Sequence, residues 1–187
     1  MNVTEAIRTR RSISKLDGDP GDDAIEQLVE LATWAPNHHL TEPWRFTVLR
    51  GAARAKLGAV WGERAAAASG LTGATHDEVA RRQAEKLLRA PVLIVVSTRT
   101  DDDPVVAEED FAATAAAVQN ILLGAESLGL GAMWRTGAIV REPAVKEFLG
   151  LEPADRIVAV VYVGTPTAGA PAPRARASED VVRWMRE

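Results

Sequence analysis

The chain has 187 residues, 47% of them hydrophobic and 26% charged, with a formal net charge of −4 and no cysteine. That composition is ordinary for a globular chain long enough to bury a sizeable core, and it points to one domain over residues 1–187. It excludes disulfides, thiolate metal sites and a cysteine nucleophile, and the negative balance supplies no basic field for a nucleic-acid backbone.

Taken in order, residues 3–10 place Val3, Ala6 and Ile7 on one side of a short amphipathic helix. Residues 8–16 follow with three arginines, two serines, a threonine and a lysine packed together. Arginine is a rigid fork of donors suited to phosphate, and serine adds a small neutral donor. The plainer alternative is that these cations only complement the negative end of the helix dipole. Residues 17–23 are a Gly/Asp/Pro loop, with Asp22 or Asp23 as cap for the next helix. That helix reaches Trp34, with Ile25, Leu28, Val29, Leu31 and Ala32 as its buried stripe, and Ala35-Pro36 ends it.

Residues 37–43 form an irregular loop carrying His38 and His39. Adjacent side chains diverge in most backbone conformations, so this pair makes a poor metal site. Residues 44–49 alternate as a strand, 51–69 read as an Ala-rich helix, 70–75 as a loop and 77–88 as another helix. Residues 92–96 are a continuous β-branched and leucine run, the pattern of a strand buried on both faces. Asp101, Asp102, Asp103, Glu108, Glu109 and Asp110 gather at the start of a long helix over 105–128, where acids serve as a cap and a solvated face. The helix is apolar nearly all round, which places it at the centre of the domain or of a subunit interface. Residues 132–137 give a short strand and turn, 143–149 a short helix, 157–163 a second apolar strand, and 178–185 a final helix after a Pro/Ala-rich tail. The tail buries little by itself and is expected to wrap a partner subunit.

The N-terminus carries charges within its first eleven residues and lacks an apolar stretch of signal-peptide type, and the longest uncharged run, 111–125, is too short for a bilayer. A cytoplasmic protein without membrane contact is expected. No G-x-G-x-x-G follows a strand, Leu130 stands where a P-loop would need lysine, and neither G-x-S-x-G nor H-E-x-x-H occurs. A chain without a nucleophile or metal constellation most economically borrows its chemistry from an organic cofactor.

Four segments together resemble the FMN-dependent nitroreductase family, in its small NAD(P)H nitroreductase type. They are Arg10-Arg11-Ser12; Ala35-Pro36-Asn37-His38 with Pro43-Trp44-Arg45-Phe46; Gly129-Leu130-Gly131 with Trp134-Arg135-Thr136-Gly137; and Gly164-Thr165-Pro166 with Arg174-Ala175-Arg176. The resemblance implies an α+β fold with a central, mostly antiparallel sheet flanked by helices, in an intertwined homodimer with FMN sites at the interface. By motif position, Arg10, Arg11 and Ser12 would hold the ribityl chain and phosphate, joined by Arg174 and Arg176. Trp134, Arg135, Thr136 and Gly137 would lie along the flavin ring, and His38 and Trp34 would reach it from the second subunit. Ser14, Leu40 and Glu42 depart from residues common among relatives, and Lys15 is a substitute for the cation expected at Ser14. The implied activity is NADH- or NADPH-dependent reduction of electron-poor small molecules, nitroaromatics or quinones, by ping-pong hydride transfer through flavin N5. Superfamily members with specialised flavin chemistry (flavin fragmentation, reductive dehalogenation) and a non-catalytic flavin-binding dimer are the alternatives.

Overall fold

Two long runs of β-branched residues set the middle layer. In the computed structural model, which describes residues 1–172 and 181–186, β3 (Val92–Thr98) pairs antiparallel with β5 (Arg156–Pro166), and β2 (Trp44–Arg50) extends the sheet beyond β3. On its other side β5 carries β4 (Gly131–Arg135), and its last residues pair with the two-residue β1 (Leu16–Asp17). All these pairings are antiparallel, as expected.

Side chains alternate across β3 and β5. Val92, Ile94, Val96, Ala159, Val161 and Val163 face one core, built with α2 (Asp22–Thr33) and α5 (Pro104–Ser127). Leu93, Val95, Val160 and Tyr162 face the other, built with α3 (Ala52–Ala68) and α6 (Pro143–Phe148). A register shift between Val96 and Ser97 opposes Val96 to Ala159 but Ser97 to Ile157, so Val158 is an extra residue and a β-bulge. Both faces are covered, which explains why neither strand shows a polar alternation.

The long apolar helix is indeed central: Ala113, Ala117, Val118, Ile121, Leu122 and Ala125 of α5 are all buried. It meets α2 closely because position 124 is glycine; a Cβ there would sit 2.8 Å from Leu31 Cδ1. Helix α1 (Val3–Thr9) lies against the same helix, and α4 (Gly73–Glu85) packs on α3.

Several sequence expectations are corrected. Neither Asp22 nor Asp23 is the cap of α2; Gly21, at φ 87°, is, and the two aspartates fill the first turn, where the helix dipole favours them. Helix α4 begins at Gly73, earlier than the expected loop boundary. Asp110 is not part of a solvated face: it is only 6% exposed and accepts a 2.6 Å hydrogen bond from Thr41 Oγ1. Asp103, by contrast, caps α5 as expected, accepting from the Val105 N–H. The expected final helix does not form over residues 182–186, and its start at 178–180 lies outside the described residues. Among the described residues no helix is long and apolar enough to cross a membrane.

The α3–α4 hairpin depends on Gly62, where a Cβ would approach Ala80 O to 2.4 Å. Gly62→Ala is therefore expected to destabilise the protein by ~1–3 kcal/mol, outweighing the ~1 kcal/mol that alanine gains in helix propensity. A urea melt with an unchanged midpoint would show that the helices do not approach so closely.

Candidate functional site

Strand β4 is the spine of the site. Its first half is held on both sides: it pairs with β5, and the segment after α1 docks on its outer edge through Ile13 N–H donating to Ala132 O and a parallel bridge between Ser12 and Ala132. Backbone groups of alternate strand residues point to the same edge, so the N–H and C=O of Trp134 face the side that Ala132 offers to Ile13. The Ile13 contact ends at Ala132, so among the described residues the edge of β4 is open towards Thr136. Gly137 follows at φ 107°, ψ −158°, a conformation essentially restricted to glycine, and a Cβ there would meet open space.

A pocket lies at each end of this edge. At the Ser12 end, Ser12, Ser14 and Lys15 face Ala168, Gly169 and Pro171 around about 220 Å³. At the Thr136 end, Arg135 and Thr136 meet Lys86, Gln83, Trp61 and Tyr162 around about 180 Å³. Among the described residues neither lining contains a carboxylate, although the chain as a whole is acidic. Residues 132–135 span about 10 Å of extended strand between them. The arrangement can take an elongated ligand that carries negative charge towards the cations of the two pockets.

The predicted residues distribute as follows. Arg10 is the half-buried C-cap of α1, and Ser12 stands two residues on at the mouth of the first pocket. Arg11 takes the plainer role: its Nη1 donates to Arg8 O at 2.9 Å and to Arg10 O at 2.6 Å, completing the end of α1. Trp134 points into the α5-side core, where its indole N–H donates to Val158 O, the carbonyl freed by the bulge, at 3.2 Å. Arg135 points to the opposite face, its guanidinium 5.4 Å from the Tyr162 ring centre. Side chains 134 and 135 therefore cannot share one ligand face; what the motif brings to the open edge is backbone. Arg174 and Arg176 lie outside the described residues.

Trp34 and His38 are not brought to β4 within one chain. Trp34, 75% exposed, ends α2 and lines an apolar groove with Met1, Val3 and Leu123. His38 opens a short 3-10 turn, its Nδ1 2.8 Å from Glu109 Oε2. The expectation that His38 and His39 diverge fails: their rings stack at 3.9 Å, because His39 adopts φ 56°. Leu40 and Glu42 also have positive φ, at 55° and 42°. Three non-glycine residues in that region mark a strained loop, pinned by the His38–Glu109 contact, the Thr41–Asp110 bond and Glu42 N–H donating to Asn37 Oδ1. Among the described residues no group of acids and histidines is arranged to hold a metal ion.

Lys86, Gln83 and Tyr162 were missed in the sequence. Lys86 closes a helical segment that reads as a polar face, and Tyr162 sits within an apolar strand; only the sheet order brings both to Arg135.

The model of the family described as the nitroreductase family matches residues 7–165. The chain belongs to the nitroreductase family. It is 30% identical over 168 residues to a protein of Escherichia coli (strain K12) named "Putative NAD(P)H nitroreductase YdjA", covering 89% of each chain. A nitroreductase-like family protein from Bacillus cereus superposes with a TM-score of 0.87 at 28% identity, over 100% of this chain and 97% of that one. A Desulfovibrio desulfuricans chain solved in complex with FMN superposes with a TM-score of 0.75 at 26% identity, over 100% and 99%. The α+β nitroreductase fold expected from the motifs is thus the fold observed.

The loop that carries His38 is held by the buried Asp110 side chain. Thr41→Val removes the hydroxyl that Asp110 accepts and leaves that carboxylate without this partner, an expected loss of ~1–3 kcal/mol in chemical denaturation. An unchanged midpoint would mean that the Thr41–Asp110 bond does not hold the loop.

Proposed function

We propose that this nitroreductase-family chain is an FMN-dependent NAD(P)H oxidoreductase that acts as a homodimer on electron-poor small molecules such as nitroaromatics and quinones. The observation that carries the reading is the edge of β4, open among the described residues, between two cation-bearing pockets whose described linings hold no carboxylate. That donor set fits a phosphate at one end and a flat heteroaromatic ring at the other, and the relative solved with FMN supports the choice.

Arg10, Ser12, Ser14 and Lys15 would hold the phosphate end, with Arg174 and Arg176 of the tail closing over it. Charge-assisted bonds of this kind contribute ~1.5–3 kcal/mol each. The backbone of Trp134, Thr136 and Gly137 would orient the ring along the strand edge, and Lys86 and Arg135 would place positive charge at its far end. When bound, FMN would supply the redox chemistry, two-electron hydride transfer through N5 from NADH or NADPH to the acceptor in ping-pong order. No side chain then needs to act as a nucleophile, and none in the two pockets is placed as one.

Trp34 and His38, remote from β4 in their own chain, would serve the second subunit's site. The apolar groove between α1, α2 and α5, about 300 Å³, is the surface a second copy would cover, with the tail wrapping it.

The purified protein is expected to be yellow, and anaerobic NADH or NADPH to bleach it, with a nitroaromatic or quinone restoring the colour. Protein that takes up no FMN would overturn the reading, and a yellow protein that neither nicotinamide bleaches would make it a flavin binder. Arg10→Ala is expected to weaken FMN binding by about ten- to a hundred-fold, equivalent to one charged hydrogen bond, while the dimer stays folded. Equal affinity in titration would remove Arg10 from the phosphate site.

A further inference from the structure

The pocket at the Thr136 end has a residue whose chemistry packing alone does not require. Tyr162 lies in the interior of β5, opposite Met133 of β4, and is 2% exposed. A buried tyrosine ordinarily finds a partner for its O–H. Among the described residues its hydroxyl makes no hydrogen bond, and it is not one of the sealed, unpartnered polar atoms of the core: the side chain lines the pocket beside Lys86 and Arg135. Burial raises the phenol's pKa, against an opposing pull from Arg135 and Arg89, so the group stays a neutral donor. Lys86 Nζ donates to Gln83 Oε1 at 2.8 Å, which fixes one ammonium at the rim, and the Arg135 guanidinium lies over the Tyr162 ring. The lining thus combines two cations with several neutral donors, Tyr162 the most deeply buried of them, and contains no acid among the described residues.

Resting on the FMN reading above, we propose that Tyr162 is a flavin-tuning residue: its hydroxyl donates a hydrogen bond to the far edge of the ring and, with Lys86 and Arg135, forms a receptor for the negative charge that arrives with the hydride. The hydride carries two electrons and one proton from the nicotinamide, which leaves as NAD(P)+, and the ring gains one negative charge. Tyr162 donates its hydrogen bond without giving up the proton. A donor aimed at developing charge in a site shielded from water stabilises the charged state more than the neutral one. Tyr162 is therefore expected to act on the reduced state and to matter little for binding of oxidised FMN.

The test is the midpoint potential of FMN bound to Tyr162→Phe, together with the affinity of the oxidised flavoprotein for sulfite, which adds at N5 and charges the ring in the same way. The expected result is oxidised FMN affinity within about two-fold of wild type. The reduced state should be disfavoured about ten-fold, a fall of about 30 mV for a two-electron couple, and sulfite affinity should weaken in parallel. Lys86→Gln should lower the potential by at least as much, and it carries the test if Tyr162→Phe does not fold. A purely structural Tyr162 would lower thermal stability and FMN affinity in both redox states equally, leaving potential and sulfite affinity unchanged; that result overturns the proposal. Wild-type protein that holds no FMN would overturn the cofactor reading and this proposal together, whereas a flavin-loaded protein with an unmoved potential overturns this one alone.

Discussion

Strand β5 is the constraint on which the rest of the structure depends. It pairs with β3 along most of its length, with β4 on its other side, and with β1 at its end. Both its faces are buried, so a slip of one residue would send Tyr162 to the α5 side and Val161 to the α3 side. The bulge at Val158 fixes the register further, because its carbonyl is where the Trp134 indole binds. Through these contacts one strand determines where β4 lies and how its open edge faces the two pockets.

That placement separates scaffold from site within one short motif. In Trp134-Arg135-Thr136-Gly137 the tryptophan anchors β4 to the bulge and the arginine turns to the other face. The main chain and the glycine's unusual conformation remain for a ligand. Electrostatics follows the same division. Some acids elsewhere in the chain are engaged with arginines, as at Glu78 and Arg81, and others gather at the start of α5. The pockets flanking β4 hold hydroxyls and cations, so the local field attracts an anion although the net charge of −4 is repulsive at long range.

The loop with His38 shows a different use of strain. Three residues at positive φ are costly in an exposed loop and persist only where surrounding contacts over-determine them. Here Glu109 and Asp110, adjacent on α5, hold the loop from beneath. A rigid, outward-facing loop has little use for its own chain's β4. In the proposed dimer it would present His38 to the neighbouring site without an ordering penalty at the moment of binding.

The sequence by itself determined the helices and strands with strong periodicity or continuous apolar character, while the α+β class followed from the resemblance that its four motifs carry. It also determined the basic cluster after α1 and the Trp-Arg-Thr-Gly motif, because local propensity and residue chemistry are written in neighbouring positions. What only the tertiary structure decided depends on which elements lie side by side. That includes the bulge that makes Trp134 a clip, the burial of Asp110, the stacking of His38 on His39, and the meeting of Lys86, Arg135 and Tyr162. These contacts join residues far apart in the chain, and no local pattern encodes the strand order that brings them together.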